Sequence, residues 1–193
     1  MRIAIQITGT TPLMMHNERL SDPDDEYTQQ IKEITNKGSN QTEQDKALVS
    51  KLEWFGGIYT NGSKQLVMPA ANIIRCFRAT ASYTKEGKKL AGGLSPTALY
   101  FPFLHDGEDS LEKLFADRSH VDRRQVKVGR GRVKRTRPIF PQWQIPSEFE
   151  LFEDILDLSR LQRIAEDAGR SQGLCDARIL GYGRFKIECK RIK

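Results

Sequence analysis

The feature that most constrains this chain is a dense run of positive charge from Arg123 to Arg137. Eight of these fifteen residues are Lys or Arg, and none is Asp or Glu. Outside the run, 23 basic residues face 25 acidic ones, so the net charge of +6 originates here. Three valines alternate with the basic residues, and Gly129 and Gly131 lie in the middle, a pattern typical of a β-hairpin. The sequence therefore predicts a β-ribbon with basic edges at residues 121–141.

A ribbon of this charge suits a polyanion, because Lys and Arg that neutralise phosphates release condensed counterions whatever the bases are. The alternative is a solvated edge whose charge only prevents strand-to-strand aggregation. We favour nucleic-acid binding, because the charge is denser than edge protection requires and because Pro138 and Pro141 stiffen the end of the ribbon. The basic residues of the ribbon are the candidate contacts: Arg123, Arg124, Lys127, Arg130, Arg132, Lys134, Arg135 and Arg137.

The remaining composition is that of a globular protein. Of 193 residues, 38% are hydrophobic and 29% are charged, which predicts one domain over residues 1–193. The sequence has no run of about 18 apolar residues and its first residues alternate like a strand, so we expect a cytoplasmic protein without membrane contact. Three cysteines without CxxC spacing and three scattered histidines predict neither a disulfide framework nor a metal site, and we expect no cofactor.

Hydrophobic periodicity predicts the order of the elements. Alternating isoleucines indicate a strand at residues 2–10, and helical spacing indicates a two-helix insertion at residues 25–54, with Thr42 as a helix cap. The sequence then predicts a strand, a helix that begins at Pro69, a loop, a strand, a short helix, the ribbon, a strand, a helix and a last strand. The expected strands are at residues 65–68, 98–103, 143–152 and 181–192. The loop is expected at 84–93, the short helix at 111–115 and the last helix at 155–168.

Without its insertions, the order is strand, helix, strand, strand, helix, strand. Ferredoxin-like folds have this order, and RNA-recognition motifs share it. The expected fold class is therefore α+β, with a ferredoxin-like βαββαβ core, a helical insertion and a protruding β-hairpin. Because this fold hosts many activities, the function has to be argued from individual residues.

A glycine-rich segment, residues 169–185, follows the last predicted helix. Its glycines are expected where the backbone needs a positive φ or a close approach, although Gly169 alone is better explained as a helix C-cap. Exposed backbone amides beside Arg170, Arg178 and Arg184 predict a loop that binds anions. An ordinary glycine turn is the alternative.

The segment GLCDARILGYGRF, between a helix and a final strand, resembles the glycine-rich loop of the repeat-associated mysterious protein (RAMP) superfamily of CRISPR systems. The first strand, which continues into residues 9–13 (GTTPL), is similar to the amino-terminal strand of that superfamily. Within it, the chain resembles the backbone subunit of Cascade-type effectors and short RAMP-like proteins of phages and prophages. The resemblance implies an RNA-recognition-like palm with a helical insertion at residues 25–54 and a thumb at residues 121–141. Cys175 stands where the commoner form of the loop has a glycine.

Some RAMP proteins cleave RNA without a metal, and the resemblance makes His16 and Tyr182 the candidate residues for such a reaction. We favour binding without catalysis, because a capping or hydrogen-bonding role explains His16 better. Helix capping likewise explains the acidic residues before the insertion better than a divalent cation does. These residues are Asp22, Asp24, Asp25 and Glu26.

Aromatic rings can add base stacking, worth ~1–3 kcal/mol per base. Core packing explains Trp54 and Phe55 better, whereas Trp143 is a candidate for stacking on a base. Arg75 and Arg78 lie three residues apart on the helix that begins at Pro69, and they share one helical face. We expect both arginines to line the same groove as the ribbon.

The expected function is sequence-independent binding of single-stranded nucleic acid, with RNA as the first candidate and DNA as the second. The resemblance implies a homo-oligomer or filament along the strand, with other CRISPR-type subunits as further partners. A metal-independent endoribonuclease of the RAMP type is one alternative. A phage-encoded interaction protein that mimics a subunit of a CRISPR complex is the other.

Overall fold

A computed structural model describes residues 1–129 and 131–192 of the chain. Arg130, a candidate contact of the basic ribbon, lies outside the described residues. The chain divides into two compact units. The first, here called the sheet unit, comprises Met1–Leu13, Thr60–Asp106 and Pro141–Lys193, and the second, the hairpin unit, comprises Met14–Tyr59 and Gly107–Phe140.

The fold is α+β, as the sequence predicts, and its strand pairs are antiparallel. The strands are β1 (Arg2–Gly9), β2 (Leu13–Met14), β3 (Val67–Pro69), β4 (Leu94–Pro96), β5 (Tyr100–Pro102), β6 (Leu104–His105), β7 (Val121–Val128), β8 (Gly131–Phe140), β9 (Trp143–Leu151) and β10 (Phe185–Arg191). The α-helices are α1 (Glu26–Thr35), α2 (Glu43–Gly57), α3 (Ala70–Tyr83), α4 (Gly87–Gly93), α5 (Leu111–Ala116) and α6 (Leu158–Asp167). Among the described residues, none of these helices has the length and apolar character to cross a membrane.

The sheet unit is built on one antiparallel sheet whose strands lie in the order β10-β1-β9-β4, and β6 pairs with another part of β9. Along β1, Ile3, Ile5 and Ile7 are buried and the residues between them are partly exposed, which confirms the predicted period of two. Helices α3 and α6 pack against each other, and α6 contacts β10. The rings of Phe77 in α3 and Phe185 in β10 lie 6.4 Å apart. The core of this unit therefore lies between the isoleucine face of the sheet and the two helices.

Two predictions for the sheet unit are wrong. Within the loop predicted at residues 84–93, Gly87–Gly93 forms helix α4, because burial of Leu90 anchors a helical turn despite its glycines. The strand predicted at residues 98–103 is only Tyr100–Pro102, and it pairs with β3 in a separate two-stranded sheet. The fourth strand of the main sheet is instead β4, which pairs with β9.

The helix predicted at residues 155–168 begins later than expected, at Leu158. Asp157 caps it, because its side chain accepts a hydrogen bond from the backbone N of Arg160 at 2.9 Å. Ile155, the first residue of the predicted helix, precedes the cap and is 47% exposed. The cap, and not the hydrophobic period, thus determines where α6 starts.

The hairpin unit contains the two predicted helices and the basic segment. Asp25 caps α1, and Thr42 and Asp45 form a capping box at the start of α2, so the predicted Thr42 cap is confirmed. Strands β7 and β8 form an antiparallel hairpin in which Val126 lies opposite Val133. The predicted basic hairpin is therefore present, and Gly129 in its turn has a φ of +56°.

Candidate nucleic-acid interface

Helix α2 supports the base of the hairpin through buried polar contacts. Glu53 is 4% exposed, and its carboxylate accepts hydrogen bonds from Arg135 Nη1 at 2.6 Å and from the backbone N of Thr136 at 2.8 Å. The hydroxyl oxygens of Ser50 and Thr136 lie 2.7 Å apart. Since Glu53 neutralises the charge of Arg135, this arginine holds the hairpin to α2.

A second arginine of the run is also compensated inside the hairpin. Arg124 donates two hydrogen bonds to the carboxylate of Asp122, from Nε at 2.7 Å and from Nη2 at 2.5 Å. Asp122 lies one residue before the basic run, opposite Arg137 in the strand register. The count of charges in the run therefore overstates the free positive charge of the hairpin.

Four exposed basic residues of the described part of the hairpin lie on one of its faces. In the register, Arg123 lies opposite Thr136, and Lys127 lies opposite Arg132. Lys134, two residues from Arg132, points to the same side, because directly opposite residues and alternate residues of a strand share a face. Arg123, Lys127, Arg132 and Lys134 are exposed, and none of them forms an ion pair with a described residue. We call these four residues the cationic face.

The charge of the cationic face affects the pKa of one carboxylate of α2. The pKa of Glu43 is lowered, mainly by the hydrogen bond and charge of Lys46 and to a smaller extent by the charge of Lys134. Glu43 is itself exposed and paired with Lys46 at 2.7 Å, so it does not neutralise Lys134. The cationic face thus remains positive in its surroundings.

The sheet unit carries a second group of arginines around the glycine-rich segment. Gly173, Gly181 and Gly183 have φ values of +75°, +87° and +71°, as the sequence predicts for this loop. Gly169 allows the backbone to pass close to β10, because a Cβ at this position would lie 2.1 Å from the backbone O of Phe185. The C-cap explanation of Gly169 is wrong, since the chain continues as a π-helical turn and leaves it at Gly173.

The residues after β1 hold the glycine-rich loop in place. The hydroxyl of Thr11 donates to the backbone O of Gly181 at 2.9 Å and accepts from the backbone N of Arg184 at 2.9 Å. The backbone N of Gly183 donates to the O of Pro12 at 2.8 Å. The loop is therefore fixed on both sides by hydrogen bonds to one segment.

The predicted arginines lie on and beside this loop. Arg178 is exposed, the side chain of Arg170 is 82% exposed, and Arg184 Nη2 donates to the backbone O of Arg178 at 3.2 Å. Arg75 and Arg78 are exposed on α3, which packs against the π-helical turn that contains Arg170. The sheet unit thus gathers these five arginines on neighbouring elements, here called the arginine surface.

Two thiols lie close to the arginine surface, and of these residues Cys76 is buried and Cys175 is partly exposed. Cys76 Sγ donates to the backbone O of Gly173 at 3.2 Å, and Cys175 Sγ lies 3.8 Å from the sulfur of Met68. Burial raises the pKa of each thiol to about 12, although the positive charge of Arg178 offsets part of this rise. Since the thiolate is the reactive form, neither cysteine is a nucleophile at neutral pH.

We expect Cys76 and Cys175 to resist alkylation in the folded protein. At pH 8 with excess iodoacetamide, Cys189 should be modified first, because it is partly exposed and burial raises the pKa of its thiol less than that of the other two. Peptide mapping by mass spectrometry with and without denaturant measures the three sites separately, and the denatured sample is the control. Equal modification of Cys175 in the folded and denatured samples would contradict this prediction.

The prediction that Trp143 stacks on a base is wrong. Trp143 is 2% exposed, its Nε1 donates to the backbone O of Thr11 at 2.9 Å, and its ring stacks on Phe103 at 6.2 Å. Its ring belongs to the core and offers no face to a ligand. Trp54 is buried too, and its Nε1 donates to the O of His120 at 2.8 Å, which confirms core packing for this residue.

The two residues suggested for RNA cleavage belong to different units. His16 is exposed in the hairpin unit, and its backbone O accepts a hydrogen bond from the Tyr59 hydroxyl at 3.0 Å. Tyr182 is partly exposed in the glycine-rich loop of the sheet unit. The capping role expected near His16 falls to Asn17, whose side chain accepts from the backbone N of Arg19. Within residues 1–129 and 131–192, no group of three or more His, Cys, Asp and Glu is arranged to hold a metal ion.

Glu53 is the functional support that the sequence reasoning missed. It stands inside the apolar run Leu52 to Phe55, so helical spacing already places a carboxylate on a buried face of α2. A buried carboxylate requires a positively charged or hydrogen-bonding partner, and that was the available signal.

A search of protein-family models and of curated proteins finds no match to this chain.

Proposed function

We propose that this protein binds single-stranded nucleic acid without sequence specificity, with RNA as the first candidate and DNA as the second. The cationic face carries this proposal, because it presents four exposed basic side chains that no described residue neutralises. Arg132 and Lys134 are alternate residues of β8 and lie about 6.6–6.8 Å apart, whereas Arg123 and Lys127 lie about twice as far apart on β7, so the face presents charge along both strands that can contact a phosphate backbone. Since phosphates carry no sequence information, such contacts predict binding that is independent of sequence.

The proposal includes a ferredoxin-like core of the RAMP type. Helix α3 separates the core strands β1 and β4, and helix α6 separates β9 and β10. Along the chain, β1, β4, β9 and β10 are the first to the fourth of these core strands. In the sheet they lie in the order β10-β1-β9-β4, that is fourth, first, third, second, which supports the βαββαβ arrangement. The positive φ values in the glycine-rich loop support the RAMP resemblance, and Cys175 itself has a φ of +59° at the position of the further glycine.

The outer face of the main sheet favours phosphate contacts over base stacking on the sheet. This face lies opposite the buried isoleucines of β1. From β1 and β9 it carries Arg2, Ala4, Gln6, Thr8, Gln144, Pro146, Glu148 and Glu150. These two fully described strands place no aromatic ring there, whereas RNA-recognition motifs stack bases on sheet aromatics. The nucleic acid is therefore bound mainly through its backbone.

Self-assembly along the strand is part of the same proposal. Each copy carries a cationic face in the hairpin unit and an arginine surface in the sheet unit. One strand that is long enough for several proteins can use both kinds of surface on successive copies. Other CRISPR-type subunits are proposed as partners of such an assembly.

Titration of labelled single-stranded RNA and DNA at several salt concentrations tests the proposal. If each residue of the cationic face neutralises one phosphate, the logarithm of the affinity should fall with the logarithm of salt concentration with a slope of about −3. Oligomers of equal length and different sequence are the control and should bind equally. A slope near zero, or no binding at low salt, would contradict the proposal.

The same RNA distinguishes binding from cleavage. After incubation with the protein in the presence of EDTA, intact RNA on a denaturing gel is the expected result. Cleavage that is lost in His16→Ala would instead support the metal-independent endoribonuclease.

A further inference from the structure

An apolar tip projects from the glycine-rich loop of the sheet unit. Ile179 is 99% exposed and Leu180 is 66% exposed, in a 3₁₀ turn at Arg178–Leu180. Neither side chain contributes to the core of the unit. An exposed pair of large aliphatic side chains carries a solvation cost, and such a patch often marks an interaction site.

The backbone fixes this tip in its exposed position. Ala177 and Gly181 bracket the turn with φ values of +55° and +87°, and the N of Gly181 donates to the O of Arg178 at 3.0 Å. The hydroxyl of Thr11 donates to the O of Gly181 at 2.9 Å. The apolar side chains are therefore displayed by an ordered turn, which lowers the entropy cost of placing them against a ligand.

The charges around the tip indicate an anionic ligand. Arg178 precedes Ile179 directly and is exposed, and Arg184 is hydrogen-bonded to the same turn. The nearest acidic residue in the sequence is Asp176, whose Oδ1 accepts a hydrogen bond from the backbone N of Ala177 at 2.7 Å. A ligand that matches this surface has negative charge and apolar surface side by side. Single-stranded nucleic acid has both, because its unstacked bases expose flat faces beside the phosphates.

We infer that Ile179 and Leu180 form a wedge that packs against unstacked bases of the bound strand, while Arg178 and Arg184 contact its phosphates. Apolar side chains act in this way in proteins that separate neighbouring bases. The inference rests on the proposed function and adds a contact to the bases that the cationic face does not provide. It also explains why an ordered turn holds large aliphatic side chains in solvent.

The double variant Ile179→Ala/Leu180→Ala tests the wedge. We expect its affinity for single-stranded RNA to fall roughly tenfold, within the range for losing one base contact. The salt slope should stay unchanged, because no charge is removed. An RNA that contains 2-aminopurine reports unstacking directly, and its fluorescence should rise on binding of the wild type and rise less with the variant.

Leu99→Ala is the matched control, since Leu99 is 79% exposed in the same unit and outside the loop. Both variants should melt at the wild-type temperature, because they remove exposed side chains. Equal affinity and equal 2-aminopurine fluorescence in the wild type and the double variant would overturn the wedge and leave the proposed function intact. A variant that binds RNA normally and loses only self-association would assign the tip to a protein contact and overturn the wedge. Absence of RNA binding by the wild type would overturn both proposals.

Discussion

Reversing two charges on the cationic face, in Arg132→Glu/Lys134→Glu, is expected to lower the affinity for single-stranded nucleic acid by about 100- to 1,000-fold. Each reversal replaces an attraction of about 1 kcal/mol to a phosphate with a repulsion of similar size, and every ~1.4 kcal/mol changes the affinity tenfold. The salt slope should become shallower by roughly 1 to 2 because two phosphate contacts are lost. Fluorescence anisotropy at several salt concentrations measures both quantities.

Lys88→Glu/Lys89→Glu is the control for this prediction. These residues are exposed on α4 in the sheet unit and change the net charge of the protein by the same amount. We expect a small loss of affinity and an unchanged slope. If the two double variants weaken binding equally, net charge alone explains the binding and the cationic face is not the site.

Glu53→Ala is expected to lower the free energy of unfolding by about 2–4 kcal/mol. The change leaves the backbone N–H of Thr136 without its acceptor and removes the carboxylate that neutralises Arg135. The loss falls below that of a fully buried pair, because the side chain of Arg135 is 40% exposed and water partly replaces its partner. Urea denaturation followed by circular dichroism measures the difference.

Two further variants separate the causes of this loss. Glu53→Gln should cost less than Glu53→Ala, because an amide oxygen can still accept from Thr136. Glu43→Ala, at the exposed start of the same helix, should leave the free energy of unfolding nearly unchanged. Equal losses for Glu43→Ala and Glu53→Ala would mean that the carboxylate of Glu53 does not hold the hairpin.

Local sequence rules were sufficient for the parts of the fold that depend on neighbouring residues. The alternation of β1, the capping box at Thr42 and the basic hairpin each follow from residues that are close in the chain. The positive φ values of Gly173, Gly181 and Gly183 also follow from the sequence, because such a conformation excludes most other residues. These features need no knowledge of tertiary packing.

The errors about the candidate site concern properties that depend on distant contacts. Trp143 is buried by Thr11 and Phe103, and neither partner is a neighbour in the sequence. Arg135 is neutralised by Glu53, which lies 82 residues away, so the charge run suggested more free charge than the fold leaves. Burial and charge compensation are tertiary properties. A single sequence lists the residues involved but does not show which of them come into contact.

The pairing of Glu53 with Arg135 has a consequence for engineering and for divergence of the chain. The hairpin unit is assembled from two separate stretches, and the contact joins α2 of the first stretch to β8 of the second. A hairpin of different length or charge can be grafted only together with a helix that supplies a matching acceptor. Exchange of residues 121–140 alone would leave a buried carboxylate behind, so the two stretches constitute a single transferable module.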